Sequence, residues 1–245
     1  MELNTYPLVC TRGVVLYPNQ EIVIDVGRDT SVHAVENAQD NYDKKICLFS
    51  QKELEQENPG KEDIYSVGTL CEVRHIRRFD NFLRVKFRGI KRVKLNNWIN
   101  GSLSDLAEVE ILESEKQDAV EEEALIRMIA DELDRMQGQD RFVTKEIVME
   151  ISKGMGGEFL SDKAVQGLPL DIERKQQYLE TLGVNDRLMM LLQDMAKEKK
   201  MSEVEQQINE TVKERIDQGQ KDYYLREKMN VIREELGDTV AQDED

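Results

Sequence analysis

The sequence predicts an α+β protein: a β-rich N-terminal part containing one helix, then an α-helical bundle that runs into a long, coiled-coil-like C-terminal helix. Three observations predict it. Between Tyr6 and Leu112, short runs of alternating apolar residues are separated by turn residues. Near Glu113 the apolar period changes from two to 3.6. From Met201 a helical seam continues with no globular sequence after it in this chain. The expected parts are residues 1–113, 114–196 and 197–245 of the 245-residue chain, long enough to bury two cores.

Extended segments are expected at residues 8–10, 14–16 and 22–26, the last with Ile22, Ile24 and Val26 on one face. Pro18 and Asn19 make the turn before it. Asp29, Thr30 or Ser31 is suited to cap a short helix through Ala38, and residues 46–49 return as a buried strand. After a polar loop at 51–61 come strands at 64–69, 70–79 and 83–87. In the last, Leu83, Val85 and Phe87 face one way and Arg84, Lys86 and Arg88 the other. Asp80 and Asn81 form a hairpin turn. Residues 93–95 and 109–112 complete seven or eight strands, enough for a sandwich or a partly closed barrel.

In the helical part, Leu125, Met128, Ile129, Leu133 and Met136 form one stripe ending at Gly138, and Phe142, Ile147, Val148 and Ile151 another ending at Gly154. A short helix follows at 159–165, and Pro169 with Asp171 starts the next, carrying Ile172, Leu179 and Leu182. The final helix begins near Asn185 or Asp186, buries Leu188, Leu191, Leu192 and Met195, and meets no proline before Leu236. At ~1.5 Å per residue it extends roughly 75 Å. A heptad counted from Met201 places Met201, Val204 and Ile208, then Leu225, Met229, Ile232 and Leu236, on one seam. Between them fall Thr211, Arg215, Gln218 and Asp222, so the seam is apolar at its ends and weak in the middle. Those seven apolar residues are the candidates for self-association.

Charged residues make up 34% of the chain and aromatics 6%, and the net charge of −16 argues against general affinity for nucleic acid or anionic membrane. Cys10, Cys47 and Cys71 form an odd set without CxxC spacing inside apolar runs, the pattern of reduced core residues. Neither a secretory h-region nor a run of ~18 apolar residues is present, and the expected location is the cytoplasm.

The motifs of catalysis are missing from the sequence. No GxxxxGK[ST] loop occurs, and the glycine cluster at 154–157 lacks the strand and lysine such a loop needs. His33 and His75 lie far apart with no ligand-spaced neighbour, so no metal site is expected. Glu121, Glu122 and Glu123 suit a helix start, and Ser161 with Lys163 reads as a cap. The expectation is a chain without catalytic residues or a bound cofactor.

Against the acidic background, Arg74, Arg77, Arg78, Arg84, Lys86, Arg88, Lys91, Arg92 and Lys94 oppose only Asp80, which predicts a basic sheet face. With Phe79 and Phe82 beside it, a nucleic-acid platform is one reading. Pairing with acidic residues, especially those at 105–134, is the other. Phe79 and Phe82, with Tyr17 and Pro18 in a second loop, also suggest an exposed apolar patch that touches unfolded polypeptide.

The blocks YPLVCTRGVVLYPNQEIVIDVGRDTSVHAVENA, DIYSVGTLCEVRHIRRF, LRVKFRGIKRVKL, LPLDIERKQQYLETLGVNDRLMMLL and KDYYLREKMNVIREELGD, in this order, resemble the N-terminal region of bacterial Lon proteases. The resemblance implies a PUA-like β-domain and a helical bundle that select misfolded or degron-bearing proteins. It also implies a helix leading to ATPase and serine–lysine protease modules, and assembly as a homohexamer. Those modules, with their ATP and Mg, are not in these residues, and the chain stops just after ELGD, where the ATPase module is expected to begin. The alternative function is a stand-alone PUA-like module binding nucleic acid through residues 74–94.

Overall fold

The structure, a computed structural model, describes residues 4–136, 149–151 and 153–235. Gly138, Phe142, Ile147, Val148 and Leu236 of the expected stripes, and the side chain of Met136, lie outside the described residues. The chain divides into two compact units, Met1–Met195 and Ala196–Asp245.

Six strands form the first part: β1 (Asn4–Thr11), β2 (Glu21–Val26), β3 (Lys45–Ser50), β4 (Val67–Arg78), β5 (Leu83–Ile99) and β6 (Leu106–Leu112). Their order is β2-β5-β4-β3-β1-β6, and β5 pairs again with β6. The strands β5, β4, β3, β1 and β6 therefore close into a barrel. β5 is long enough to carry two partners on one edge, β2 along its first half, from Glu21↔Arg88 to Val26↔Leu83, and β6 along its second, from Arg92↔Leu112 to Ile99↔Leu106. The β1–β3 pair is parallel, and helix α1 (Asp29–Asn41) makes the crossover between β2 and β3.

Six strands replace the seven or eight expected because segments read as separate are continuous. Residues 70–78 belong to β4, and 83–87 and 93–95 both belong to β5, with register shifts at Leu70/Cys71, Val73/His75 and Leu95/Asn97 where the strands bend. Residues 14–16 join no ladder. Hydroxyls stand in for a neighbouring strand there: Thr11 and Ser50 donate to Val14 O at 2.8 and 2.6 Å, and Thr69 donates to Leu16 O at 2.5 Å. Helix α1 starts at Asp29 with Arg28 at the N-cap and no side-chain cap, so the expected capping residues lie inside it.

The helical part contains α2 (Ala119–Met136), α3 (Gly157–Gly167), α4 (Ile172–Glu180) and α5 (Val184–Glu235). Asp171 caps α4 by accepting from Arg174 N at 2.7 Å, as its position predicts. Leu125, Ile129 and Leu133 are buried, whereas Met128, expected in the same stripe, is 57% exposed. Ser161 is not a cap: it lies in the second turn of α3, fully buried, and its hydroxyl donates to Glu158 O and accepts from Arg187.

Barrel and bundle share a core. Val15, Tyr17 and Val67 pack in one cluster with Leu160, Leu179, Leu188 and Leu191. Within that contact Arg92, on β5, is 1% exposed and reaches Asp162 of α3 bidentately, at 3.0 and 2.5 Å. It also donates to Leu179 O, and Arg187 of α5 lies 3.9 Å from the same carboxylate while donating to Thr181 O at 2.9 Å. Burial pushes the Asp162 carboxyl up from its ordinary value, and the guanidinium of Arg92 pulls it back. Burial, with the like charge of Arg92, pushes Arg187 down to about 10.

Asp162→Ala leaves two buried guanidiniums facing each other and is expected to lower stability by about 3–5 kcal/mol. The triple apolar replacement Arg92→Met, Asp162→Leu, Arg187→Met is expected to lose much less. Equal urea midpoints for the two variants would refute the assignment of this cluster as a coupled ion group.

Candidate functional site

β4 and β5 are joined by a tight hairpin in which Phe79 N donates to Phe82 O at 2.9 Å. The turn sets the two rings side by side, with centroids 4.7 Å apart and planes 13° from parallel. Arg84 lies over both, at 5.4 and 5.6 Å from the centroids. Its guanidinium is fixed by two 2.7 Å bonds to the Asp25 carboxylate on β2. That hydrogen bonding holds the Asp25 carboxyl below its ordinary value. Phe79 is 38% exposed and Phe82 half-buried, so the stack presents an apolar edge to solvent on a rigid support.

Tyr17 and Pro18 do not join this patch, which corrects the sequence expectation. Both are buried, Tyr17 completely, with its hydroxyl donating to Lys175 O of α4 at 2.7 Å. The ring fills the contact between barrel and bundle, where burial raises its phenol proton affinity well above the ordinary value. β5 passes so close that a Cβ at Gly89 would sit 2.1 Å from Tyr17 O, so only glycine fits there. Aromatic residues beside proline look like a loop in sequence, and only the packed bundle shows them to be core.

Five charges of the basic strand face are matched within the molecule. Arg74 pairs with Glu72 at 3.2 Å, Arg78 with Glu36, Lys86 with Glu21 at 2.7 Å and Lys91 with Glu113 at 2.8 Å, in addition to Arg84 with Asp25. Of these partners only Glu113 comes from residues 105–134, since β2, α1 and β4 supply the others. Arg92 is no part of the outward face, because it serves the buried cluster. Hydrogen bonding from Lys86 lowers the Glu21 carboxyl below its ordinary value.

A cleft of about 280 Å3 that sequence reasoning missed lies between β1 and β2, lined by residues 9–12 and 24–28 and Ser31. Arg12 and Arg28 are its charged groups beside Asp25. Cys10, also in it, has its thiol pushed up to about 12, chiefly by burial, which makes it a poor nucleophile. The three cysteines are free thiols. Among the described residues no group of three or more His, Cys, Asp or Glu has metal-binding geometry, and no helix is long and apolar enough to cross a membrane.

In the second unit, Met201, Val204, Ile208, Leu225, Met229 and Ile232 are all exposed. The stretch between the two patches is less bare than the heptad count suggests, because Val212 and Ile216 extend the first row in steps of four and are exposed too. An uncoiled helix drifts by ~20° per heptad, so over the four heptads from Met201 to Met229 the patches rotate apart by roughly 80°. They form one seam only in a supercoil.

Residues 5–197 match the family described as "ATP-dependent protease La (LON) substrate-binding domain". The Lon protease of Brevibacillus choshinensis is 34% identical over 233 residues, covering 95% of this chain and 30% of that protein. The Lon protease of Escherichia coli K12 is 31% identical over 233 residues, with the same coverage of 95% and 30%. The chain thus spans about a third of the length of these relatives. Among solved structures, the N-terminal domain of a Mycobacterium avium complex Lon protease superposes with a TM-score of 0.64 at 18% identity, covering 79% of this chain and 98% of that one. A Lon N-terminal domain protein from Xanthomonas campestris gives 0.55 at 16% identity, covering 77% and 97%. Together with the six-stranded sheet and following helices, these likenesses establish that the chain belongs to the Lon protease substrate-binding domain family.

Proposed function

We propose that this chain is the substrate-recognition and assembly region of a cytoplasmic, ATP-dependent Lon-type serine protease that degrades misfolded and short-lived regulatory proteins. In this reading the chain binds polypeptide and performs no chemistry, while ATP, Mg and the serine–lysine dyad belong to modules elsewhere in the whole protein. The observation that carries it is the Phe79–Phe82 stack, an apolar edge held rigid and open to solvent in a chain that matches a substrate-binding domain. Unfolded chains differ from folded ones in exposing apolar side chains, and such an edge attracts them without reading a sequence. The basic strand face supports nucleic-acid binding less well, because five of its charges already meet carboxylates.

The exposed rows on residues 201–232 suit self-association, and a homohexamer is the assembly proposed for the whole protein. Covering such rows with another helix removes their apolar surface from water, which favours association.

Phe79→Ser with Phe82→Ser is expected to weaken binding of a permanently unfolded model protein several-fold while changing stability by no more than about 1 kcal/mol. Tyr17→Ala, by contrast, removes junction core and should destabilise by about 3–5 kcal/mol. Titration by fluorescence anisotropy checks the first, and undiminished affinity would reduce the hairpin to a lid. Met229→Asp with Ile232→Asp should shift self-association to higher protein concentration, and sedimentation profiles identical to those of the unaltered chain would remove the helix from the assembly.

A further inference from the structure

The barrel is complete at one end and open at the other. β6 bridges to β1 only as far as the Pro7–Leu106 pair, and β2 occupies the other half of β5. Beyond Pro7, β1 and β2 therefore face each other without a ladder between them. Main-chain directions on β1 follow from two bonds. Gln51 N donates to Thr11 O at 2.9 Å on the β3 side, whereas Leu8 N donates to Asp105 O at 3.0 Å on the β6 side. Alternation groups Cys10 with Leu8, and Arg28 accordingly donates to Cys10 O at 3.2 Å from the open side. The Cys10 N–H thus points into the gap. On β2, Gln20 O accepts from Gly89 N at 2.9 Å on the β5 side, so Val23 and Asp25 turn their main-chain groups to the free edge.

The 280 Å3 cleft fills this gap, and its charge is unusual for so acidic a chain. Arg12 donates to Gln56 O at 3.3 Å. Arg28 donates to Cys10 O, to Gln51 Oε1 at 2.6 Å and to Gln56 O at 3.2 Å. Every one of these acceptors is neutral, and among the described residues neither guanidinium forms a salt bridge. Asp25, the acid lining the cleft, is already held by Arg84. Burial and then repulsion from Arg12 lower the proton affinity of Arg28, with Glu57 a lesser attraction. An anion entering the cleft would relieve that repulsion.

We propose that this cleft holds the C-terminal end of an extended polypeptide, whose main chain bonds to Cys10 and the β2 edge and whose terminal carboxylate pairs with Arg12 and Arg28. The inference rests on the reading of the chain as a protein-substrate binder and adds which part of a substrate is held, and by what. Strand edges recognise main chain whatever its sequence, while two guanidiniums at the mouth favour an end over a segment passing through, which would set a neutral amide against both charges.

The test uses the full 245-residue chain and fluorescein-labelled peptides of roughly eight residues rich in Val and Thr. One has a free C-terminus, one is amidated, and one is amidated with an internal Asp. The free acid should bind about tenfold tighter than either amide, as expected for charge-assisted hydrogen bonds. Arg12→Gln should remove most of that preference, as should Arg28→Gln. Arg12 is the safer variant because it makes one exposed bond to Gln56 and leaves the Arg28 bridge to Cys10 and Gln51 intact. Equal affinity for acid and amide, equal affinity for the internal-Asp peptide, or an unchanged preference in Arg12→Gln would each overturn the proposal. A permanently unfolded protein run in parallel separates the two ideas. Its binding alongside indifference to the peptide end would sink this inference and leave the proposed function standing, and no binding by any probe would sink both.

Discussion

Arg92 leaves the barrel wall and lies, with almost no solvent, against Asp162 of the bundle, and a guanidinium in that place is tolerable only if a carboxylate meets it. The geometry leaves few alternatives: both Asp162 oxygens are taken by Arg92, the Arg92 Nε–H goes to Leu179 O, and Arg187 comes within 3.9 Å of Asp162 Oδ1. Apolar packing surrounds it, from Val15, Tyr17 and Val67 to Leu188 and Leu191, and is less directional than these bonds. Gln176, donating to Val67 O at 2.8 Å, adds a second polar peg between sheet and helices at the same contact.

Much of the fold was legible because the barrel strands obey period two and the helices 3.6. Leu83, Val85 and Phe87 alternate with Arg84, Lys86 and Arg88 as written, and Asp171 caps its helix. What the sequence hid has one physical origin, since local patterns do not reveal which outward face another element will cover. Arg92 has the same period as the solvent-facing bases before it, yet a bundle sits on that stretch of β5. Tyr17 and Pro18 carry turn chemistry, yet the same bundle buries them. Met128 sits within an apolar stripe and still points to water.

The candidate surfaces divide along the same line. Phe79 and Phe82 could be proposed from sequence because a hairpin tip has no later element to hide it. The cleft at Arg12 and Arg28 could not, because it exists only where two strands distant along the sheet fail to pair. Charge told a similar story. Nine basic residues in one segment look like an interface, but the acids that answer five of them are scattered over β2, α1, β4 and Glu113, visible only once the chain is folded.

Closure of the barrel has a temporal side. β1 precedes the other strands in the chain, yet its edge partner is β6, with Asn4 opposite Val109, and the counter-ion of Arg92 lies 70 residues further along. A nascent chain cannot close the barrel while β6 is still being translated, and Arg92 has no buried counter-ion until α3 arrives. Sealing of the sheet therefore depends on partners distant along the chain: β1 on β6, and Arg92 on Asp162 of α3.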